Sequence, residues 1–205
     1  MLDTKIRNDD DLRSITASPV LGSIAFDETV PSHPIVIADE PHSAPAEAVR
    51  RLRTNLQFVG AASESKSLVI TSSVPGEGKT TTSINLAVAL ADAGNRVVLV
   101  DADLRRPSVA EYMGLEGAAG LTTVLIGRAG VADVIQPWRS SGLDVLPSGQ
   151  VPPNPSELLG SSAMRVLLEQ LSESYDVVLL DSPPLLPRAC SKSWLRRGVG
   201  LTRHG

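Results

Sequence analysis

The amino-acid sequence predicts an α/β fold, a mainly parallel sheet with helices on both faces. Three observations carry that prediction. Short apolar, β-branched runs recur along the chain: "SLVITSS", "RVVLVDADLRRP" and "DVVLLDSPP". Their near-continuous hydrophobicity is the mark of strands covered on both sides. Segments with helical spacing stand between them, and strand–helix–strand alternation implies parallel pairing. The first run also leads through the glycine-rich turn "VPGEGKT" directly into a helix.

Taken in order, residues 1–45 read as a linker. Its stretch "SPVLGSIAFDETVPSHPIVIADEPHSAP" mixes β-branched pairs with prolines, which favours extended segments and turns over helix. "PAEAVRRLRTNLQFV" predicts a helix, with Val49, Leu52, Leu56 and Val59 on one face and Glu47, Arg50 and Arg53 on its flank. By composition alone that flank is an ordinary solvated side. "SLVITSS" is the first strand. "TTTSINLAVALADAG" is a helix whose buried face carries Ile84, Ala87, Val88 and Ala91, with Gly94 suited to its stop. "RVVLVDADLRRP" is the second strand, "GLTTVLIG" and "GVADVIQPW" are short helices, and "LDVLPSG" is a short strand. "NPSELLGSSAMRVLLEQLSESY" reads as one helix with Pro155 near its first turn. "DVVLLDSPP" is the last buried strand.

Composition narrows the function. The 205 residues suffice for one domain with a core, and at 3% aromatic content that core is aliphatic. The net charge of −4 gives no reason to expect nucleic-acid binding. A single cysteine, Cys190, excludes an internal disulfide. No apolar run reaches the ~18 residues a bilayer span needs. The opening "MLDTKIRNDDDLRS" has no signal-peptide core. His33, His42 and His204 are scattered without metal-ligand spacing, and their places in the linker or the tail disfavour a serine–histidine pair.

The chemistry concentrates in the loop and at the strand ends. Between a strand and a helix, Gly76, Glu77 and Gly78 let backbone N–H groups close around phosphates, at the positive end of the helix. Lys79 then reaches the β- and γ-phosphates, the Thr80 hydroxyl suits magnesium, and Thr81 follows in the first turn. The full phosphate-loop pattern has glycine where this chain has Ser73. Nucleotide-bound magnesium takes one or two carboxylates. Asp101 and Asp103 end one strand and Asp181 another, and ligands of open α/β sheets bind beyond those ends. Any one of the three alone reads equally as a turn-capping aspartate. Arg105 and Arg106 either bind phosphate or form a solvated turn.

Together these segments resemble the cytoplasmic catalytic domain of bacterial tyrosine kinases (BY-kinases), which act in capsule and exopolysaccharide export. The likeness spans residues 2–187. "EAVRRLRTNLQF" is similar to the family's E-x-x-R-x-x-R segment, "SSVPGEGKTTTSINLA" to its Walker A loop and "VVLVDADLRRP" to its D-x-D-x-R motif. "NPSELL" and "VVLLDSPPLLP" are similar to its later segments, the last with the Walker B aspartate. The resemblance implies a deviant P-loop NTPase fold and a self-phosphorylating, magnesium- and ATP-dependent tyrosine kinase. It implies that Lys79 holds phosphates, that Thr80, Asp101 and Asp181 hold or orient the metal and its waters, and that Asp103 accepts the tyrosine proton. It implies that Glu47, Arg50 and Arg53 join subunits into a ring. Further implied partners are a membrane-embedded chain-length regulator or activator domain and the polysaccharide export machinery, at the cytoplasmic face of the cell membrane. On this basis residues 1–45 are a juxtamembrane-like segment and 46–187 a partial kinase domain.

The chain departs from the family in two respects. The family ends in a tyrosine cluster, whereas this sequence has only Tyr112 and Tyr175, the latter structural by its place before a strand. Beyond Pro187 the likeness stops, and residues 188–205, "RACSKSWLRRGVGLTRHG", hold five basic residues and no acidic one. That stretch is expected to be an aberrant tail after a frameshift or truncation, with a basic membrane-touching tail as the other reading. The fold is then incomplete at the C-terminus, and a fragment that only binds nucleotide is the main functional alternative. A partition- or septum-positioning ATPase is disfavoured, because those proteins carry a lysine early in the loop where this chain has Val74.

Overall fold

The computed structural model describes residues 16–25, 34–60, 66–139 and 142–185. The expected tail at 188–205, together with His33 and His204, lies outside them. The elements run α1 (Val36–Asp39), α2 (Ala44–Gly60), β1 (Ser67–Ile70), α3 (Lys79–Asp92), β2 (Val97–Asp101), α4 (Val109–Met113) and α5 (Leu121–Leu125). A 3-10 turn (Val131–Asp133) follows, then β3 (Gln136–Trp138), β4 (Leu143–Leu146), α6 (Pro155–Leu159), α7 (Ser162–Ser174) and β5 (Val177–Asp181).

The sheet order is β1-β5-β2-β4-β3. All neighbours are parallel except the β3–β4 pair. Period-2 alternation explains why the strands read as unbroken apolar runs. Val97, Leu99, Val145 and Leu179 face one core with Val49, Leu52 and Leu56 of α2 and Ile84 and Val88 of α3. Val98, Val100, Leu146, Val178 and Leu180 face a second core with Leu121, Leu125, Met164, Leu167 and Leu171. Helices therefore cover both faces, as expected. Helix α3 is buried nearly all round from Ser83 to Ala91, beyond the single stripe predicted for it, because α2 and α1 pack over its outer side. Gly94 takes the left-handed conformation (φ +88°) at the end of α3, the role its position suggests.

Three local expectations are corrected. The segment expected to be extended holds the turn of helix α1, whose Val36 and Ile37 are buried. Buried Asn85 of α3 fixes it there, accepting from the Ile37 amide (3.0 Å) and donating to the Pro34 carbonyl (2.7 Å). "GVADVIQPW" is a 3-10 turn followed by a strand, not a helix. Pro137 is tolerated because β3 is an edge strand and needs no ladder donor there. The helix predicted over 154–175 is two helices. Gly160 ends α6, and the Ser161 hydroxyl accepts from the Met164 amide (3.2 Å) to begin α7. Among the described residues no helix is long and apolar enough to cross a membrane.

Candidate active site

Strand register builds the site. Asp101 and Asp181 are register partners at the last position of adjacent parallel strands, and Asp181 also pairs with Ile70 of β1. Neighbouring strands lie about 4.8 Å apart, so the two carboxyls stand close together beneath the loop that leaves β1. In that loop Gly76 (φ +86°) and Gly78 (φ +72°) are both left-handed, and a Cβ added at Gly76 would meet open space. Gly78 is the N-cap of α3, so the free amides at the start of this 14-residue helix open toward the strand ends.

Lys79, the first residue of α3, lays its ammonium between two acids, 2.9 Å from Asp181 Oδ2 and 3.3 Å from Asp103 Oδ2. Its side chain is 8% exposed, that of Asp103 8% and that of Asp181 0%. Thr80 Oγ1 donates to Asp181 Oδ2 (2.7 Å) and lies 3.4 Å from the Lys79 ammonium. Thr81, the next residue of the helix, is half-buried.

Asp101 has no hydrogen bond or ion pair to Lys79 or Thr80. Its carboxylate instead accepts backbone N–H groups from Asp103 (3.2 Å), Ser108 (3.2 Å) and Val109 (3.1 Å), tying the chain after β2 back onto the strand end. Burial, followed by the neighbouring Asp181 charge, pushes the Asp101 carboxyl up to about 7 from its ordinary 3.8. Asp103 accepts from the amides of Arg105 (3.4 Å) and Arg106 (3.2 Å), while both arginine side chains extend into solvent. Glu77 turns onto its own loop, accepting from the Ser73 (2.8 Å) and Val74 (3.2 Å) amides.

Two participants went unmarked in the sequence. Ser83, one turn along α3, contacts Asp181 Oδ1 (2.9 Å) and the Lys79 carbonyl (2.9 Å). Ser108 donates from its hydroxyl to Thr80 Oγ1 (3.3 Å). Ser83 lies four residues after the loop lysine, where helical spacing brings it to the same face. The signal for Ser108 exists only in three dimensions.

The donor set suits a metal–triphosphate complex. A carboxylate and a hydroxyl at hydrogen-bonding distance beside glycine-shaped amides leave room for phosphate and water ligands. Among the described residues no three His, Cys, Asp or Glu side chains are grouped as a protein-only metal cage.

Glu47, Arg50 and Arg53 lie away from this cluster, on α2. Arg50 pairs with Glu47 (3.0 Å) and donates to the Pro41 carbonyl (2.6 Å), and Arg53 donates to the Ala89 carbonyl of α3 (3.3 Å).

Comparison with known proteins gives the family. A family model described as an AAA domain matches residues 65–194. Tyrosine-protein kinase YwqD of Bacillus subtilis (strain 168) is 44% identical over 152 residues, which cover 74% of this chain and 64% of that protein. The chain thus spans less than two thirds of that relative. The solved kinase domain of Escherichia coli tyrosine kinase ETK superposes with a TM-score of 0.84 at 35% identity, covering 89% of this chain and 76% of that one. The septum site-determining protein MinD complexed with Mg-ADP, from Pyrococcus horikoshii OT3, is more distant. Its TM-score is 0.50 at 30% identity, over 58% of this chain and 49% of that one. Residues 65–194 carry an AAA domain, and the chain belongs to the bacterial tyrosine kinase (BY-kinase) family of P-loop proteins.

Proposed function

We propose that this chain is the P-loop domain of a magnesium- and ATP-dependent protein-tyrosine kinase that phosphorylates itself. The observation that carries the reading is the Lys79 ammonium held between Asp103 and Asp181 at the mouth of a helix, with Thr80 on the same carboxylate. Backbone amides from Gly76 to Thr81 cradle the triphosphate, and Glu77 holds the shape of that cradle. Thr80 and Asp181 hold the magnesium ion, and Asp101 orients this end of the site through the amides it binds. Held by Thr80 and Asp181, the ion would supply charge neutralisation to the transferring phosphoryl group. Lys79 moves from the acids to the phosphate oxygens. Asp103 then loses its counter-charge and is left as a carboxylate able to accept the phenolic proton.

In this reading residues 46–187 form the kinase unit and 1–45 a juxtamembrane-like segment. Subunits assemble into a ring through Glu47, Arg50 and Arg53. The unit works at the cytoplasmic face of the membrane with a membrane-embedded chain-length regulator and the polysaccharide export machinery. Incubating the protein with magnesium-ATP and a Glu–Tyr copolymer tests the activity. Phosphotyrosine that is absent from Lys79→Met supports it, and no phosphotyrosine on either acceptor overturns it.

A second reading is a nucleotide-binding fragment without transfer activity. It is favoured by the outer edge of β1, which has no strand partner among the described residues. ATP-dependent thermal stabilisation without product would select it.

A further inference from the structure

The sequence holds two tyrosines, and the structure treats them differently. The Tyr175 hydroxyl donates to Asp144 Oδ2 at 2.6 Å, and burial together with that carboxylate raises its pKa, so it is locked as a neutral donor. Tyr112 is 36% exposed, and its hydroxyl has no hydrogen-bond partner among the described residues. We propose that Tyr112 is a phosphoryl-acceptor site of this protein, modified by the active site of a second copy. The inference rests on the kinase reading above and adds the acceptor.

Position is the first argument. Helix α4 starts at the amides of Ser108 and Val109 that bind Asp101. Tyr112 lies one turn beyond Ser108, donating its amide to the Ser108 carbonyl (3.0 Å), and so beside the residue whose hydroxyl meets Thr80. Buried Val109 and Met113, one turn apart, fasten α4 to the core and leave Glu111 and Tyr112 on its outer sides.

The second argument is charge. Arg105 and Arg106 are exposed, their side chains have no partner among the described residues, and their amides are pinned to the carboxylate of Asp103. Two free guanidinium groups beside the proton acceptor favour a tyrosine with an acidic neighbour. Glu111, exposed and immediately before Tyr112, supplies one.

The route between copies follows from the anchoring. Val109 and Met113 fasten α4 in the core and hold Tyr112 on its exposed side, where the site of a second copy can reach it. In the transfer, the Tyr112 phenolic oxygen forms a bond to the γ-phosphorus of ATP. The bond from that phosphorus to the β–γ bridging oxygen breaks, the phenolic proton passes to the Asp103 carboxylate, and ADP leaves.

The test mixes unaltered chain with an affinity-tagged Lys79→Met copy, magnesium-ATP and a Glu–Tyr copolymer, followed by phosphopeptide mapping of the tagged copy. The expected result is phosphate on Tyr112 of the inactive copy. That label is lost when the tagged copy also carries Tyr112→Phe, and the Tyr112→Phe single variant still phosphorylates the copolymer. A phosphorylated copolymer with an unlabelled Tyr112 in the tagged copy overturns the inference and leaves the kinase reading standing. No phosphotyrosine on the copolymer or on either copy overturns both.

Discussion

Two groups of charged side chains in this protein are held in opposite ways. At the strand ends, Lys79, Asp103 and Asp181 are almost wholly removed from solvent and satisfy one another within 3.3 Å. Along α2, Glu47 and Arg50 are 62% and 33% exposed, and Arg50 divides itself between Glu47 and the Pro41 carbonyl. Arg53 lies between these conditions, with one guanidinium nitrogen on the Ala89 carbonyl and its buried Nε without a hydrogen-bond partner among the described residues. Buried charge is costly unless matched, so the first cluster is fixed by the rest of the fold and suited to chemistry. Exposed charge is weakly held and free to be traded for a new neighbour, which suits assembly.

The largest effect that could break this contrast is Lys79→Met. It leaves the buried acids without their cation, at a cost of about 3–5 kcal/mol if both stay ionised. Phosphotyrosine formation should fall by about 10²–10³-fold or more. Chemical denaturation and phosphotyrosine blotting measure the two, and a variant as stable as the parent would refute the account of the buried cluster. Next is Asp101, whose carboxyl rises to about 7 in the folded chain from 3.8. The stability tied to its proton is full below pH 3.8 and is lost as pH rises through about 7. In magnesium-free buffer, Asp101→Asn should flatten the stability profile across that window, by at most ~4 kcal/mol. An unchanged slope would remove Asp101 from the explanation. Ser83→Ala deprives Asp181 Oδ1 of its donor and should cost about 1–3 kcal/mol of unfolding free energy, with weaker ATP-dependent stabilisation. The smallest effect belongs to α2. Arg50→Ala should cost less than about 1 kcal/mol, since its ion pair is solvent-screened. The same substitution should lower the oligomer fraction in sedimentation if α2 is an assembly surface, which sharpens the contrast.

The strand-end cluster was legible because each residue sits where the pattern changes. Asp101 and Asp181 end apolar runs, and Lys79 follows the glycines that open a helix. Register then does what spacing cannot, setting Asp101 beside Asp181 although 80 positions separate them in the chain. The Ser108 contact to Thr80 was invisible, since it depends on how Asp101 folds the following loop back. The break at Gly160–Ser161 was readable, because a glycine stop followed by a serine cap is a helix-to-helix signal, but the continuous apolar spacing around it hid the boundary. Helix α1 was missed because its stability is tertiary. Four residues hold a turn there only because Asn85 grips the backbone at Ile37 and Pro34. The α2 flank was the least legible region, since its charges read alike whether they face water or another subunit.

Glu77 gives the phosphate loop a standing shape. Its carboxylate gathers the amides of Ser73 and Val74, so the bend after β1 is closed by the protein's own negative charge. A bend shaped in advance leaves little chain entropy to lose when a ligand binds, and in the kinase reading that ligand is the triphosphate. In the kinase reading, recognition there is a matter of charge and fit rather than of folding.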